Sequence, residues 1–187
     1  MNKKAVFGLG NPGDRYKHTR HNIGAEALLT YIGQTKKKIQ PEEDGFSMVY
    51  AFKNHLCLLP QTYMNLSGVA VADAVEYHQL DLDDCLIVYD DVDIPLGQLR
   101  IRESGGPGGQ NGMKSIIGQL GTRDFPRMRI GIGQAEFEGE LGDFVLDPFE
   151  RDEQALLTKV LYRAAEAIKC FLDENLQTSM NRFNGPV

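Results

Sequence analysis

The segment that decides the fold lies near the N-terminus and reads Ala5-Val6-Phe7-Gly8-Leu9-Gly10-Asn11-Pro12-Gly13. A short apolar run at residues 5–9 is followed at once by a turn of glycine, asparagine and proline. This pattern predicts a buried strand that ends in a tight loop.

Alternating strand and helix patterns continue outward from this segment. Further short apolar runs predict strands at residues 48–52, 56–59, 85–89, 99–102 and 128–132. Apolar residues at three-to-four spacing predict helices from Ile23, over 66–77, from Met113 and over about 152–172. We therefore expect one α/β domain over residues 1–187, with three layers and a twisted mixed sheet flanked by helices. Loops are expected at 36–45 and 104–112, and a mobile lid segment around 134–148.

Length and composition bound the class of protein. The chain has 187 residues, of which 42% are hydrophobic and 25% charged, so it is expected to fold rather than remain disordered. It contains no apolar run of the ~20 residues that span a bilayer, and no signal-peptide core near Met1, so we expect a cytoplasmic protein without a membrane partner. Three cysteines lie in apolar surroundings without metal-ligand spacing, and we expect buried thiols at Cys57, Cys85 and Cys170.

Charge is distributed in blocks along the chain. The net charge of −6 argues against nonspecific coating of nucleic acid. Residues 1–41 nevertheless carry +6 and residues 100–130 carry +4, against −10 for 42–99 and −6 for 131–187. If the fold brings the two basic blocks together, they can hold a few phosphates; otherwise they form an ordinary mixed surface.

Two segments resemble nucleotide-binding motifs, but their spacing or the elements around them do not fit such sites. Residues 8–13 fit GxGxxG, but a polar run at 14–21 follows where a dinucleotide-binding turn needs a helix, and no acidic residue stands about 20 positions later. Residues 108–115 resemble a phosphate-binding loop, but Met113 separates Gly112 from Lys114. Neither motif therefore predicts a nucleotide cofactor.

Nucleophilic and metal catalysis have weak sequence support. The chain has no GxSxG, and Cys57 and Cys85 sit inside apolar strands, so any hydrolysis is expected to use water directly. His18 and His21 lie three residues apart, and carboxylates cluster at 90–93, but such sparse spacing is more typical of a polar surface than of a metal site.

Polar residues collect just past the predicted strand ends, where open α/β sheets bind ligands. They are Asn11, Asn65 and Asp90, to which Asn111 and His21 are added at the starts of two predicted helices. An aspartate that accepts a hydrogen bond from one imidazole nitrogen fixes the tautomer of a histidine base, so His21 and Asp90 are a candidate pair. Taken singly, the asparagines are better explained as turn residues or helix caps. Their clustering favours a cleft.

These residues occur in motifs that resemble the bacterial-type peptidyl-tRNA hydrolase family over nearly the whole chain. The motifs are Gly8–Gly13 with Tyr16, Thr19–Gly24, Thr62–Gly68, Tyr89–Pro95, Asn111–Lys114, Arg127–Gly133 and Asn181–Asn184. The resemblance implies a monomeric α/β enzyme that cleaves the ester between peptide and tRNA in peptidyl-tRNA. The rival interpretation is a noncatalytic RNA-binding protein on the same scaffold; retention of the catalytic set favours the enzyme.

The resemblance also implies roles for individual residues. His21 would be the general base that activates water, and Asp90 would orient it. Substrate binding would fall to Asn11, Tyr16, Met64, Asn65 and Asn111, and the 5′ phosphate of tRNA would bind Arg102 and Arg129. No metal or cofactor is implied.

Two departures from the family pattern stand out. Gln110 occupies a position where many relatives carry histidine, and an amide cannot titrate. Glu136, Glu138 and Glu140 stand in the lid segment where some relatives carry lysines. We therefore expect salt-sensitive tRNA binding held mainly by the N-terminal block and residues 100–130.

Overall fold

The strands form a single mixed sheet at the centre of the molecule. The computed structural model describes residues 3–35, 38–133 and 141–187. The strands are β1 (Lys4–Gly8), β2 (Glu42–Asp44), β3 (Ser47–Ala51), β4 (His55–Pro60), β5 (Cys85–Asp91), β6 (Gln98–Arg102), β7 (Arg127–Gly131) and β8 (Gly185–Pro186). Their spatial order is β2-β3-β4-β1-β5-β7-β6-β8.

Six helices accompany the sheet within the described residues. They are α1 (Ile23–Gln34), α2 (Ser67–Tyr77), α3 (Asn111–Leu120), α4 (Leu141–Leu146), α5 (Gln154–Asp173) and α6 (Leu176–Phe183). One face of the sheet packs against α1 and α5, and the other packs against α2 and α3. The predicted three-layer α/β architecture is confirmed.

The four central strands run parallel. β1 pairs with β4 and β5, and β5 pairs with β7, all in parallel register. Parallel strands bring their carboxyl ends to one edge of the sheet, where ligands bind in this class of fold. Outside these four, β3 and β6 are antiparallel to their neighbours, and β2 and β8 form the two edges of the sheet.

The predicted strands and all four predicted helices are confirmed, and the differences lie in short or polar elements. The loop predicted at 36–45 was wrong in part, because the polar residues Glu42–Asp44 form the edge strand β2. Charged residues suit a solvent-facing edge strand but carry no apolar alternation, so the pattern does not reveal it. Within the expected lid segment, Leu141–Leu146 form α4, whereas residues 134–140 lie outside the described residues.

Close packing of α1 on the sheet depends on two glycines. A Cβ on Gly24 would lie 2.2 Å from the carbonyl oxygen of Val88, and one on Gly8 would lie 2.8 Å from the carbonyl oxygen of Gly24. Only glycine allows this approach, because the neighbouring atoms are backbone. The turn that precedes α1 is thereby held against the carboxyl ends of β1 and β5.

Gly24→Ala is therefore expected to destabilise the fold by about 1–3 kcal/mol, the usual range for overpacking a close contact. The matched control is Gly33→Ala on the same helix, where a Cβ meets no atom within 4 Å. That change should stabilise by about 0.5–1 kcal/mol through helix propensity. Urea unfolding of both variants measures the two effects, and equal unfolding free energies for the two would contradict the packing argument.

The three thiols are buried, as predicted. Burial, with a smaller contribution from Asp84 and Asp81, raises the pKa of Cys85 to about 12, and burial also raises the pKa of Cys57. Both sulfurs are therefore protonated at neutral pH, which makes them poor nucleophiles. Among the described helices, none is long and apolar enough to cross a membrane.

Candidate active site

His21 and Asp90 meet at the carboxyl edge of the sheet. His21 lies in the short 3-10 turn Arg20–Asn22 that leads into α1, and Asp90 lies near the end of β5. The distance from Nδ1 of His21 to Oδ2 of Asp90 is 2.8 Å. The two side chains are 10% and 2% exposed, so their contact is largely shielded from water.

This contact assigns the imidazole tautomer. A carboxylate can only accept, so Nδ1 carries the hydrogen that it donates to Asp90. In the neutral ring Nε2 is then unprotonated and available as a base. The arrangement is that of a histidine–carboxylate pair able to take a proton from water.

The second oxygen of Asp90 is also engaged. Nε2 of Gln110 donates to Oδ1 of Asp90 at 3.0 Å, while Oε1 of Gln110 accepts from the backbone N–H of Met113 at 2.8 Å. Gln110 is thus the N-cap of α3, the role that the sequence analysis had considered for Asn111. Asn111 is instead the first residue of the helix.

Asn11 is held by two flanking segments. Its backbone N–H donates to Oδ1 of Asn22 at 2.8 Å, and Nδ2 of Asn22 donates back to the Asn11 carbonyl at 2.9 Å. Its own Oδ1 accepts from the backbone N–H of Met64 at 2.7 Å. Because the oxygen is occupied, the Nδ2 group of Asn11 is the part left to interact with a ligand.

Two cavities flank the imidazole. The larger, about 400 Å³, is bordered by Asn11, Met64, Asn65 and Asn111 together with Tyr63 and α4 residues. The smaller, about 140 Å³, is bordered by Asp90, Asp91, residues 108–111 and α4 residues. His21 and Asn111 line both. The structure therefore brings together the catalytic candidates and four of the five predicted substrate-binding residues.

Tyr16, the fifth predicted substrate-binding residue, does not border either cavity directly. Its ring packs edge-on against the ring of Tyr63, with centroids 6.1 Å apart, and Tyr63 borders the larger cavity. Tyr16 thus supports the cavity wall.

Four arginines share one face of the β6–β7 pair. In the antiparallel register Arg100 pairs with Arg129 and Arg102 with Arg127, which places all four side chains on the same side. Nε of Arg129 lies 2.5 Å from Oδ2 of Asp91. A Cβ on Gly108 would come within 3.8 Å of its Nη2. Arg129 therefore adjoins the smaller cavity, which Asp91 and Gly108 border.

Arg102 and Arg127 differ in their surroundings. Arg102 is exposed, whereas Arg127 is buried and donates to the carbonyls of Gly105, Arg123 and Phe125. Burial lowers the pKa of Arg127. The sequence analysis assigned no role to Arg127. Its guanidinium group anchors the loop at 104–112 through the carbonyl of Gly105. The two residues are too far apart in sequence for this contact to produce a local pattern.

Arg20 is a second structural residue that the sequence did not reveal. Its guanidinium group lies 4.6 Å and 4.7 Å from the ring centroids of Phe144 and Phe149 and donates to both oxygens of Glu153. Its Nη1 also donates to the carbonyl of Ile132. These contacts tie α4 and the start of α5 to the turn that carries His21.

Two cations of the N-terminal basic block are engaged within the protein. Lys4 donates to the carbonyls of Phe171, Leu172 and Glu174 at the end of α5, on the opposite edge of the sheet from His21, and Arg20 is buried with Glu153. Neither is available for a phosphate near the site. Glu136, Glu138 and Glu140 lie outside the described residues.

Comparison with known proteins identifies the family. The family model for peptidyl-tRNA hydrolase matches residues 5–187. The chain belongs to the peptidyl-tRNA hydrolase family. It is 44% identical over 183 residues to a peptidyl-tRNA hydrolase of Chloroflexus aggregans, covering 96% of this chain and 97% of that protein. The identity to a peptidyl-tRNA hydrolase of Sulfurihydrogenibium is 43%, covering 97% of each.

Solved structures give the same family. The crystal structure of peptidyl-tRNA hydrolase from Acinetobacter baumannii aligns with a TM-score of 0.87 and 31% identity, over 99% of this chain and 96% of that one. A nucleosidase from Helicobacter pylori aligns with a TM-score of 0.54 at 8% identity, over 92% and 99% of the two chains, which shows a shared fold alone. Only the peptidyl-tRNA hydrolases therefore bear on activity.

Proposed function

We propose that this protein hydrolyses the ester bond between the peptide and the 3′-terminal ribose of tRNA in peptidyl-tRNA. Membership of the peptidyl-tRNA hydrolase family supports this activity. The observation that carries the mechanism is the 2.8 Å contact between Nδ1 of His21 and Oδ2 of Asp90 beside two cavities.

In the proposed mechanism Nε2 of His21 takes a proton from a water molecule as the water oxygen attacks the ester carbonyl carbon. The bond between that carbon and the ribose oxygen then breaks, and the imidazolium returns its proton to the ribose oxygen. The products are a peptide carboxylic acid and a free tRNA hydroxyl. Asp90 stabilises the imidazolium while it exists, which is the role of the carboxylate in such pairs.

The asparagines would bind the reacting part of the substrate. The Nδ2 group of Asn11 remains available because Met64 occupies its oxygen. Asn65 and Asn111 border the larger cavity with exposed amides. Amide donors of this kind bind a peptide carbonyl and the oxyanion that develops from it; one such donor contributes about 10²–10³ in rate.

Arg102 and Arg129 would bind the 5′ phosphate of the tRNA. Their guanidinium groups lie on the same sheet face, and a guanidinium binds phosphate through paired N–H groups. Arg129 connects this surface to the smaller cavity through Asp91. The tRNA would then cross from the arginine face towards His21.

We also propose a domain organisation, an oligomeric state and a cellular location for the protein. We assign the whole chain to one catalytic domain, with a lid role for α4, whose residues border both cavities. We also propose that the protein acts as a monomer. Peptidyl-tRNA arises during translation, so the protein would recycle tRNA in the cytoplasm.

Release of N-acetyl-aminoacyl groups from tRNA tests the activity. The purified protein should release the labelled acyl group, and should leave unblocked aminoacyl-tRNA intact if peptide-like bonds are read by the asparagines. Tight tRNA binding with no release would instead favour the noncatalytic RNA-binding protein.

Arg102→Gln should raise KM for peptidyl-tRNA while kcat stays near that of the original protein, because the phosphate contact lies away from the reacting ester. Loss of one phosphate contact lowers the slope of log affinity against log salt by about 1. KM measured at several salt concentrations between about 50 and 200 mM would show this change in slope.

The matched control is Lys159→Gln, which removes one positive charge from an exposed position on α5. It should leave the salt slope unchanged. A slope shifted equally by both variants would mean that net charge, rather than a phosphate site at Arg102, holds the tRNA.

A further inference from the structure

The side chain of Gln110 joins two parts of the site. Its oxygen accepts from the backbone N–H of Met113 at 2.8 Å and so caps α3. Its nitrogen donates to Oδ1 of Asp90 at 3.0 Å and also lies 3.1 Å from the sulfur of Met64. The helix that begins with Asn111 and the carboxylate that holds His21 are therefore connected through one amide.

Only one orientation of this amide satisfies both partners. The Met113 N–H is a donor and requires the oxygen, whereas a carboxylate requires the nitrogen. A titratable side chain at the same position would change its donor capacity with pH. Gln110 keeps the same donor at every pH at which the protein is folded.

The contact to Asp90 restrains a buried charge. Asp90 is 2% exposed, so few water molecules are available to solvate its carboxylate. Oδ2 accepts from His21 and Oδ1 accepts from Gln110, so both oxygens are satisfied by the protein. Hydrogen bonds to a charged, buried group are shorter and stronger than those between neutral groups.

We propose that Gln110 is a positioning residue for the hydrolysis reaction. It fixes the rotation of the Asp90 carboxylate so that Oδ2 faces Nδ1 of His21, and through the same side chain it sets the start of α3, which carries Asn111 into the cavities. This inference rests on the proposed function. The competing explanation is that Gln110 serves only as a helix cap.

Two substitutions separate these explanations. Gln110→Asn keeps a favoured N-cap residue but is one methylene shorter, so it no longer reaches Asp90. Gln110→Glu keeps the length and the capping oxygen but replaces the donor by a second carboxylate oxygen beside Asp90. A cap-only role predicts near-normal behaviour for both, because asparagine and glutamate side chains still accept from a helix N–H.

Positioning predicts a lower kcat with KM little changed. The loss for Gln110→Asn should be about tenfold to a hundredfold, by analogy with groups that orient a metal-bound histidine. Gln110→Glu should lose more at pH 8. Two carboxylates in contact raise the pKa of one of them, so the pair gains a proton as the pH falls and the donor is restored. The ratio of its kcat to that of the original protein should therefore rise from pH 8 to pH 6.

A second readout does not depend on activity. The proton on Nδ1 of His21 should give a downfield NMR signal in the original protein, and the signal should shift or broaden in Gln110→Asn. Thermal melting checks that each variant is folded. The original protein in the same release assay separates the two claims: if it releases no acyl group the proposed function fails, and the NMR comparison still tests positioning.

The inference is overturned if Gln110→Asn retains its kcat and an unchanged Nδ1 signal, or if Gln110→Glu keeps the kcat of the original protein at pH 8. In those cases Gln110 is a helix cap.

Discussion

His21→Ala is expected to lower kcat for peptidyl-tRNA by about 10²–10⁴-fold, the contribution of a positioned general base. The reason is that Nε2 of His21 is the basic atom placed beside the cavities once Nδ1 is bound to Asp90. Binding of the tRNA should persist, because the phosphate contacts proposed for Arg102 and Arg129 do not involve the imidazole. Initial rates at saturating substrate, with tRNA affinity measured separately, give the two quantities.

The matched control is His18→Asn. His18 is exposed and lies three residues earlier, at a positive φ of 63° that asparagine tolerates. This variant should keep kcat within about twofold, since surface substitutions away from the site change little. If His21→Ala is folded and as active as His18→Asn, the imidazole of His21 is not the general base.

Asp90→Asn is expected to give the second largest loss, also about 10²–10⁴-fold in kcat. An asparagine amide nitrogen facing Nδ1 would donate to it and move the ring hydrogen to Nε2, so that the base is blocked. The buried carboxylate that stabilises the imidazolium is lost as well. Stopped assays at saturating substrate measure the effect, with circular dichroism as the check on folding.

Asp93→Asn is the control for Asp90→Asn. It removes the same charge from an exposed position close by in the sequence. Comparable losses in the two variants would show that general negative charge near the cavity, rather than orientation of His21, supports the reaction.

Sequence patterns predicted the parts of the fold with strong local signals. Buried strands such as Cys85–Asp91 show continuous apolar runs, and the long helix Gln154–Asp173 shows a regular apolar stripe. The edge strand Glu42–Asp44 was not predicted, because its pairing with Ser47–Val49 depends on a neighbour rather than on its own apolar content. The two-residue strand at Gly185 is too short to leave a pattern.

The candidate site was predictable where the topology rule applies. Asn11, Asn65 and Asp90 follow parallel strands, and such strands end at one edge of the sheet. The contacts of Gln110 and Arg20 were not predictable in the same way. The contacts from Gln110 to Asp90 and from Arg20 to Glu153 join residues 20 or more positions apart, and such partners are fixed only when the helices pack on the sheet.

Most directly, the central claim is tested by the pH dependence of the single-turnover rate of acyl-tRNA cleavage with enzyme in excess. A neutral imidazole acting as base predicts a log rate that rises with unit slope at acid pH and then levels off, and a residual rate in His21→Ala that lacks this rising limb. The same rising limb in both proteins would show that the proton is taken by another group, and would contradict the account.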